Sequence, residues 1–442
     1  MSKKLPFSDE FLDKVLREVG IISASGASIR EVVAIIEKMQ EKSGIEFIRM
    51  DMGVPGVPTP EVGILSEIEA LKMGKPAEYG QIDGIPELKK EVSRFAKNFL
   101  NIDVSPHSCL VTAGSMMGAI ISFMVAAKRE SSRQGVLFVD PGFAVQKKQA
   151  KVLDLPIVSF DIYEYRGKKL QAKLEELCSR NGISLIVYSN PNNPTWICLT
   201  DDELKTIAKV ANKFDIVVME DLAYFGMDFR KNYGVPGKKP FQPTIARYTH
   251  NYLILFSSSK VFSYAGQRVG ALIVSDELFS RQFPNLLRIG DNDRLGPALI
   301  QDGVYIVSAG ASHTAQFGLA GLLKAANDGT FKFLDHVRIY GEKAAEMKKI
   351  FLSHGFRILY DKDGNEDLAD GFYFTITLPG LDLDELLRRF FRCGLGAISL
   401  SIMGCRDKSG VRISTAKINK SQFPELDRRL KMFVGLVDEL VR

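Results

Sequence analysis

Seven short apolar runs punctuate the middle of the chain, at 110–112, 136–139, 157–160, 185–188, 216–219, 253–256 and 271–274. They are too short for helices and rich in Val, Ile, Leu and Phe, so they predict buried strands. Most are separated by longer stretches with helical character, such as 117–128, 170–179 and 201–214. Strands that alternate with helices predict an α/β chain with a doubly wound, mostly parallel, seven-stranded sheet. Such sheets bind ligands at the carboxyl ends of their strands.

The flanks follow other patterns. Residues 1–46 read as helical, with Ile29, Val32, Val33, Ile36 and Met39 recurring at helical spacing and Ser28 placed to cap them. Residues 50–60 hold three prolines and two glycines and predict an extended, turn-rich segment that composition alone would make a linker. A turn at Gly84 and Pro86 opens an amphipathic helix with Leu88, Val92 and Phe95 inward. Beyond 275 the pattern turns helical, and 355–442 mixes short strands, 372–377 and 410–413, with helices.

Five of the predicted strands run into a polar or glycine-bearing motif: Ala113-Gly114-Ser115, Asp140-Pro141-Gly142-Phe143, the 190–195 stretch NPNNPT, the 220–224 stretch EDLAY, and the 257–270 stretch SSSKVFSYAGQRVG. In the last of these, Lys260 sits just past a buried strand. A loop lysine is ordinarily solvated. Here Ser257, Ser259 and Arg268 could hold a phosphate beside it. A lysine at a phosphate site can form a Schiff base with an aldehyde cofactor that carries a phosphate.

The pattern S-x-S-K-x-x-x-x-x-G-x-R-x-G resembles the cofactor-lysine signature of the class I/II aminotransferases, pyridoxal-phosphate enzymes of fold type I. The resemblance extends to Gly53, Pro55 and Pro60, to Tyr79, Gly80, Gly84 and Leu88, to N-P-N-N-P-T and D-x-x-Y, and to Arg412 within GVRISTA. It covers most of the chain from about residue 50 to 415. It implies a large cofactor domain at 51–328 and a smaller α+β domain at 329–442 that residues 1–50 join, with 331–351 as one long connecting helix. Trp196 stands where the family's motif ends in glycine. That departure leaves the turn geometry there open, and the indole either packs in the core or walls the substrate pocket. The stretch 280–312 matches no motif.

The resemblance implies roles residue by residue. Lys260 would form the Schiff base and shuttle the substrate α-proton. Asp221 would face the pyridine nitrogen, and Tyr224 and Asn193 the phenolic oxygen. Phe143 would stack on the ring. Gly114, Ser115, Ser257, Ser259 and Arg268 would hold the phosphate, joined by Tyr79 from a partner subunit. Arg412 would clamp the substrate α-carboxylate, with Gly53 letting the backbone approach it.

Composition narrows the function without naming it. A net charge of +5, from 58 basic and 53 acidic residues, gives no reason to invoke nucleic acid. The charged first twenty residues do not read as a secretory signal, and the apolar stretch 116–127 is too short to span a bilayer. Five dispersed cysteines and five dispersed histidines suggest neither a disulfide framework nor a metal site, so a reduced, cytoplasmic setting is expected. The expected function is amino-group transfer between an amino acid and a 2-oxo acid by a homodimer with pyridoxal 5'-phosphate. A β-lyase or other elimination enzyme of the same fold is the alternative. Arg288 and Arg294 could serve a substrate's distal carboxylate, but nothing in the sequence places them.

Overall fold

The computed structural model describes residues 5–180, 182–406 and 409–440. The chain divides into two compact units: residues 57–192 with 198–337, and residues 1–56 with 193–197 and 338–442. The terminal unit begins with α1 (Asp9–Glu18) and α2 (Ile29–Ser43). Ser28 caps α2 in a reciprocal capping box with Glu31. Such a box satisfies backbone N–H groups that a helix start leaves without partners. The inward stripe of α2 is Val32, Ile35, Ile36 and Met39.

In the large unit, α3 (Glu61–Lys72) and α4 (Pro86–Phe95) precede the sheet. The strands are β1 (Cys109–Thr112), β2 (Gly135–Asp140), β3 (Ile157–Asp161), β4 (Ile183–Ser189), β5 (Val217–Leu222), β6 (Tyr252–Ser257) and β7 (Gly270–Val274). Their spatial order is β1-β7-β6-β5-β4-β2-β3. All pairs are parallel except those of β7, which runs antiparallel to both β1 and β6. Six of the strands are buried along their whole length, as near-continuous apolar runs require in a sheet covered on both faces. Connecting helices include α5 (Ser115–Ile121), α6 (Ala144–Val152), α7 (Lys169–Arg180) and α8 (Asp201–Phe214). Further on, α9 (His313–Asn327) packs on α3 and α4.

The single helix expected over 331–351 is two, α10 (Phe333–Val337) and α11 (Ile339–Ser353). Arg338 alone separates them, and its carbonyl accepts from both Gly341 N–H at 3.0 Å and Glu342 N–H at 3.3 Å. The terminal unit continues with β8 (Arg357–Ile358), β9 (Tyr373–Thr377), α12 (Leu383–Arg392), β10 (Ile398–Ser399) and β11 (Val411–Ser414), and ends in α13 (Phe423–Leu440). Its antiparallel sheet is ordered β10-β11-β9-β8. No helix among the described residues is long and apolar enough to cross a membrane.

Candidate active site

The sheet register gathers the large unit's candidate residues on one rim. Thr112 pairs with Gly270, and Gly270 with Ser257. The end of β1, the start of β7 and the end of β6 therefore stand side by side. Gly114 and Ser115 follow Thr112, Arg268 precedes Gly270, and Ser259 and Lys260 follow Ser257. The reversal of β7 is what delivers Arg268 to the carboxyl-end rim of its parallel neighbours. One row along, Ser189 pairs with Asp221, and Asp221 with Leu255.

Close packing requires glycine at two positions there. A Cβ on Gly114 would stand 2.5 Å from Arg268 Nη2, and its φ of +75° also favours glycine. A Cβ on Gly270 would meet Phe256 O at 2.6 Å and crowd Ser115 N. Arg268 donates to Ala265 O at 2.9 Å and reaches Ser259 Oγ at 3.4 Å. It forms no ion pair with a carboxylate among the described residues. Ser257 Oγ accepts from Ser259 N–H at 3.2 Å. Lys260 is half-buried at the rim.

Asp221 is 6% exposed. Its carboxylate accepts from Gln146 Nε2 at 2.7 Å and Ala223 N–H at 3.0 Å, both neutral donors. Burial lifts its pKa to about 6, against the pull of those two bonds. Tyr224 is buried two residues past β5, and half-buried Phe143 caps α6, whose first turn carries Gln146. Asn192 ties the strand ends together by donating to Pro141 O at 2.7 Å. Composition marked neither Gln146 nor Asn192; the signal available for Gln146 was its place in the first turn after the Asp140–Phe143 strand-end motif. Tyr79 is 97% exposed.

The terminal unit holds a second cluster. Arg412, on β11, is 2% exposed. Its Nη1 donates to Asn193 Oδ1 at 3.2 Å and its Nη2 to Asp51 O at 2.9 Å, while Nε is buried without a hydrogen-bond partner. The guanidinium lies 4.3 Å from the centroid of Tyr373. The Asp51 carboxylate is occupied by Arg49 at 2.8–2.9 Å, and Arg412 forms no ion pair with a carboxylate among the described residues. Gly53 approaches Tyr373 so closely that a Cβ would stand 2.1 Å from its hydroxyl. Tyr373 carried no motif, and only the fold reveals it.

Trp196 keeps a left-handed backbone, φ +69°, that suits the glycine it replaces. Such a conformation costs a residue with a Cβ about 1–2 kcal/mol. The indole is fully buried, edge-on to Tyr373 with centroids 6.1 Å apart, and fills space that a Cβ on Gly371 would need. Of its two readings, the structure has the packed core side chain, and that burial offsets the backbone cost.

Comparison with known proteins agrees with this architecture. The probable aspartate aminotransferase of Methanocaldococcus jannaschii is 27% identical over 233 residues, 53% of this chain and 58% of that protein. The aspartate aminotransferase of Pyrococcus horikoshii is 28% identical over 255 residues, 57% of this chain and 60% of that protein. The chain thus spans less than two thirds of the length of these curated relatives. The solved structure of Thermus thermophilus aspartate aminotransferase with maleate superposes with a TM-score of 0.73 at 17% identity, covering 92% of this chain and 96% of that one. The model of the family "Aminotransferase class I and II" matches residues 45–326, more than half of the chain, and the protein belongs to that family.

Proposed function

We propose that this protein is a pyridoxal-phosphate-dependent aminotransferase that moves an amino group between an amino acid and a 2-oxo acid. The observation that carries the reading is one buried, uncompensated charge in each unit, the two of opposite sign. Asp221 in the large unit and Arg412 in the terminal unit each have only neutral partners. Burying a charge without a counter-charge is costly, so each suits a ligand that supplies one. A protonated ring nitrogen answers Asp221. A substrate α-carboxylate answers Arg412, whose forked donors match it.

The family's cofactor suits the rim on further grounds. Gly114 and Gly270 let Arg268 and Ser115 pack close together at the strand ends, and Arg268 with Ser115, Ser257 and Ser259 offers donors suited to a phosphate. Pyridoxal phosphate, when bound, supplies an electron sink for charge developed at the substrate's α-carbon. The chain's own part is to hold and to move a proton. Lys260 carries the cofactor and is the base at the α-carbon. Tyr224 and Asn193 donate to the ring oxygen, Asp221 keeps the ring nitrogen protonated, and Phe143 restrains the ring. Arg412 fixes the substrate's carboxylate, and Gly53 admits it.

The same reading has a homodimer with Tyr79 lent to the partner's cofactor phosphate. Supporting it, Ile64, Leu65, Ile68 and Leu71 on α3 are exposed, as is Tyr79. An apolar face of this kind is a common mark of an interface. A cytoplasmic setting suits the thiols of Cys109, Cys178 and Cys393, which burial pushes up to about 12 and so keeps inert in the core. A panel of amino donors against 2-oxo acids tests the reading. Transfer dependent on an added 2-oxo acid is expected. Release of pyruvate and ammonia without an acceptor would replace transfer with elimination.

A further inference from the structure

The loop that carries Lys260 is under strain and is held by bonds within itself and from outside. Ser263 and Arg268 both hold left-handed backbone, φ +49° and +50°. Neither is glycine, so the loop resists this shape unless neighbours impose it. Thr59 Oγ1 donates to Ser263 O at 2.7 Å, Ser258 Oγ to Val269 O at 2.6 Å, and Tyr264 N–H to Ser258 O at 3.3 Å.

The remaining tie has a built pocket. Tyr264 is buried, and its hydroxyl donates to Glu67 Oε2 on α3. The other carboxyl oxygen of Glu67 accepts from Thr314 Oγ1 on α9 at 3.3 Å. Gly318 on α9 makes the room: a Cβ there would stand 1.9 Å from the Tyr264 hydroxyl. Burial and the Glu67 carboxyl hold the phenol above its ordinary pKa, so it stays a donor. A core packing role alone would need neither the hydroxyl nor the glycine opposite it.

We propose that Tyr264 and Glu67 form a positioning pair for Lys260, binding its loop to α3 and α9 so that the amine stays in place at the rim. The proposal rests on the reading of Lys260 as the cofactor-bearing amine.

The test uses the full chain without cofactor. Lys260 is followed by competitive acylation of all lysines across pH with mapping by mass spectrometry, alongside equilibrium binding of pyridoxal phosphate and thermal melting. Tyr264→Phe removes only the hydroxyl. It and Glu67→Leu should weaken pyridoxal phosphate binding about 10-fold, as loss of a hydrogen bond to a carboxyl group does. Both should change Lys260 labelling relative to the other lysines. Glu67→Gln, which keeps an acceptor, should stay within about threefold of wild type, and the double variant should be no worse than either single one. Unchanged Lys260 labelling and binding in Tyr264→Phe would overturn the pair. So would a lowered melting temperature with all lysines affected alike. A wild type that takes up no pyridoxal phosphate would overturn the reading of the site itself, and the pair with it.

Discussion

Gln146 donates its side-chain amide to Asp221 at 2.7 Å, and both residues are buried. The amide stabilises the ionised carboxylate without adding a charge that would compete with a cationic ligand. Gln146→Leu should therefore raise the Asp221 pKa further above about 6 and weaken pyridoxal phosphate binding roughly 10-fold or more at neutral pH, the usual cost of a lost hydrogen bond to a charged group. Binding titrations of the cofactor-free protein from pH 6 to 8 check this. Unchanged affinity would mean that Ala223 N–H alone suffices.

Lys260→Ala should lose turnover by orders of magnitude, because the covalent anchor and the general base go together. The phosphate donors remain, so pyridoxal phosphate should still bind, but weakly. Borohydride reduction of the wild type followed by peptide mapping should place the label on Lys260. A label on another lysine would sink the assignment.

Arg412→Lys keeps the charge and loses the fork. It should lower kcat/KM for the amino acid while leaving cofactor affinity within about threefold, since a point charge cannot make the paired bonds to a carboxylate. Arg412→Ala should lose about 2–5 kcal/mol of substrate interaction. Stopped-flow half-reactions with a saturation series read both. Unaltered saturation would put the carboxylate clamp elsewhere.

How much of this was legible depended on the kind of residue. The strands announced themselves because buried parallel strands are unbroken apolar runs, as at 253–256. Their ends ran further than read, since Asp140, Ser189 and Asp221 are polar yet stay in the ladder. Lys260 and Arg268 were visible as a spacing, because a loop of fixed length joins two apolar runs. Gln146 was not, since a glutamine on a helix looks like solvent-facing surface until the fold brings it against Asp221. Ile398–Ser399 was too short to show any period. The break at Arg338 is a single residue long, and no glycine or proline marks it.

Glu220 offers a pH test of the fold. It is fully buried on β5 beside Asp221, accepting from Tyr188, Thr244 and Ile245 N–H. Burial raises its pKa from 4.5 to about 7. The folded state thus holds a proton that the unfolded state has lost, and stability falls as pH rises from about 4.5 to 7. Above that range the penalty is complete, on the order of 3 kcal/mol. In Glu220→Gln this component should vanish. The variant's advantage over wild type in melts of the cofactor-free protein should grow from pH 4.5 to 7 and then stay constant. A constant difference across the range would remove Glu220 as the titrating group.

Tyr79 is 97% exposed in the single chain, while the proposed function lends it to a partner's cofactor phosphate. If the proposed two-fold dimer shares its sites, each subunit lends this tyrosine to the other. Lys260→Ala subunits and Tyr79→Ala subunits should each be nearly inactive alone. In a mixed dimer one site then receives both lesions and the other receives neither. Random reassortment of equal amounts makes about half of the dimers mixed, each with one intact site, so activity should recover to roughly a quarter of wild type. If Tyr79 served its own subunit, every site would carry one lesion and mixing would restore nothing. Subunit exchange is established first with differently tagged chains, and Tyr79→Ala must itself be badly impaired. No recovery after demonstrated exchange would reject the shared site.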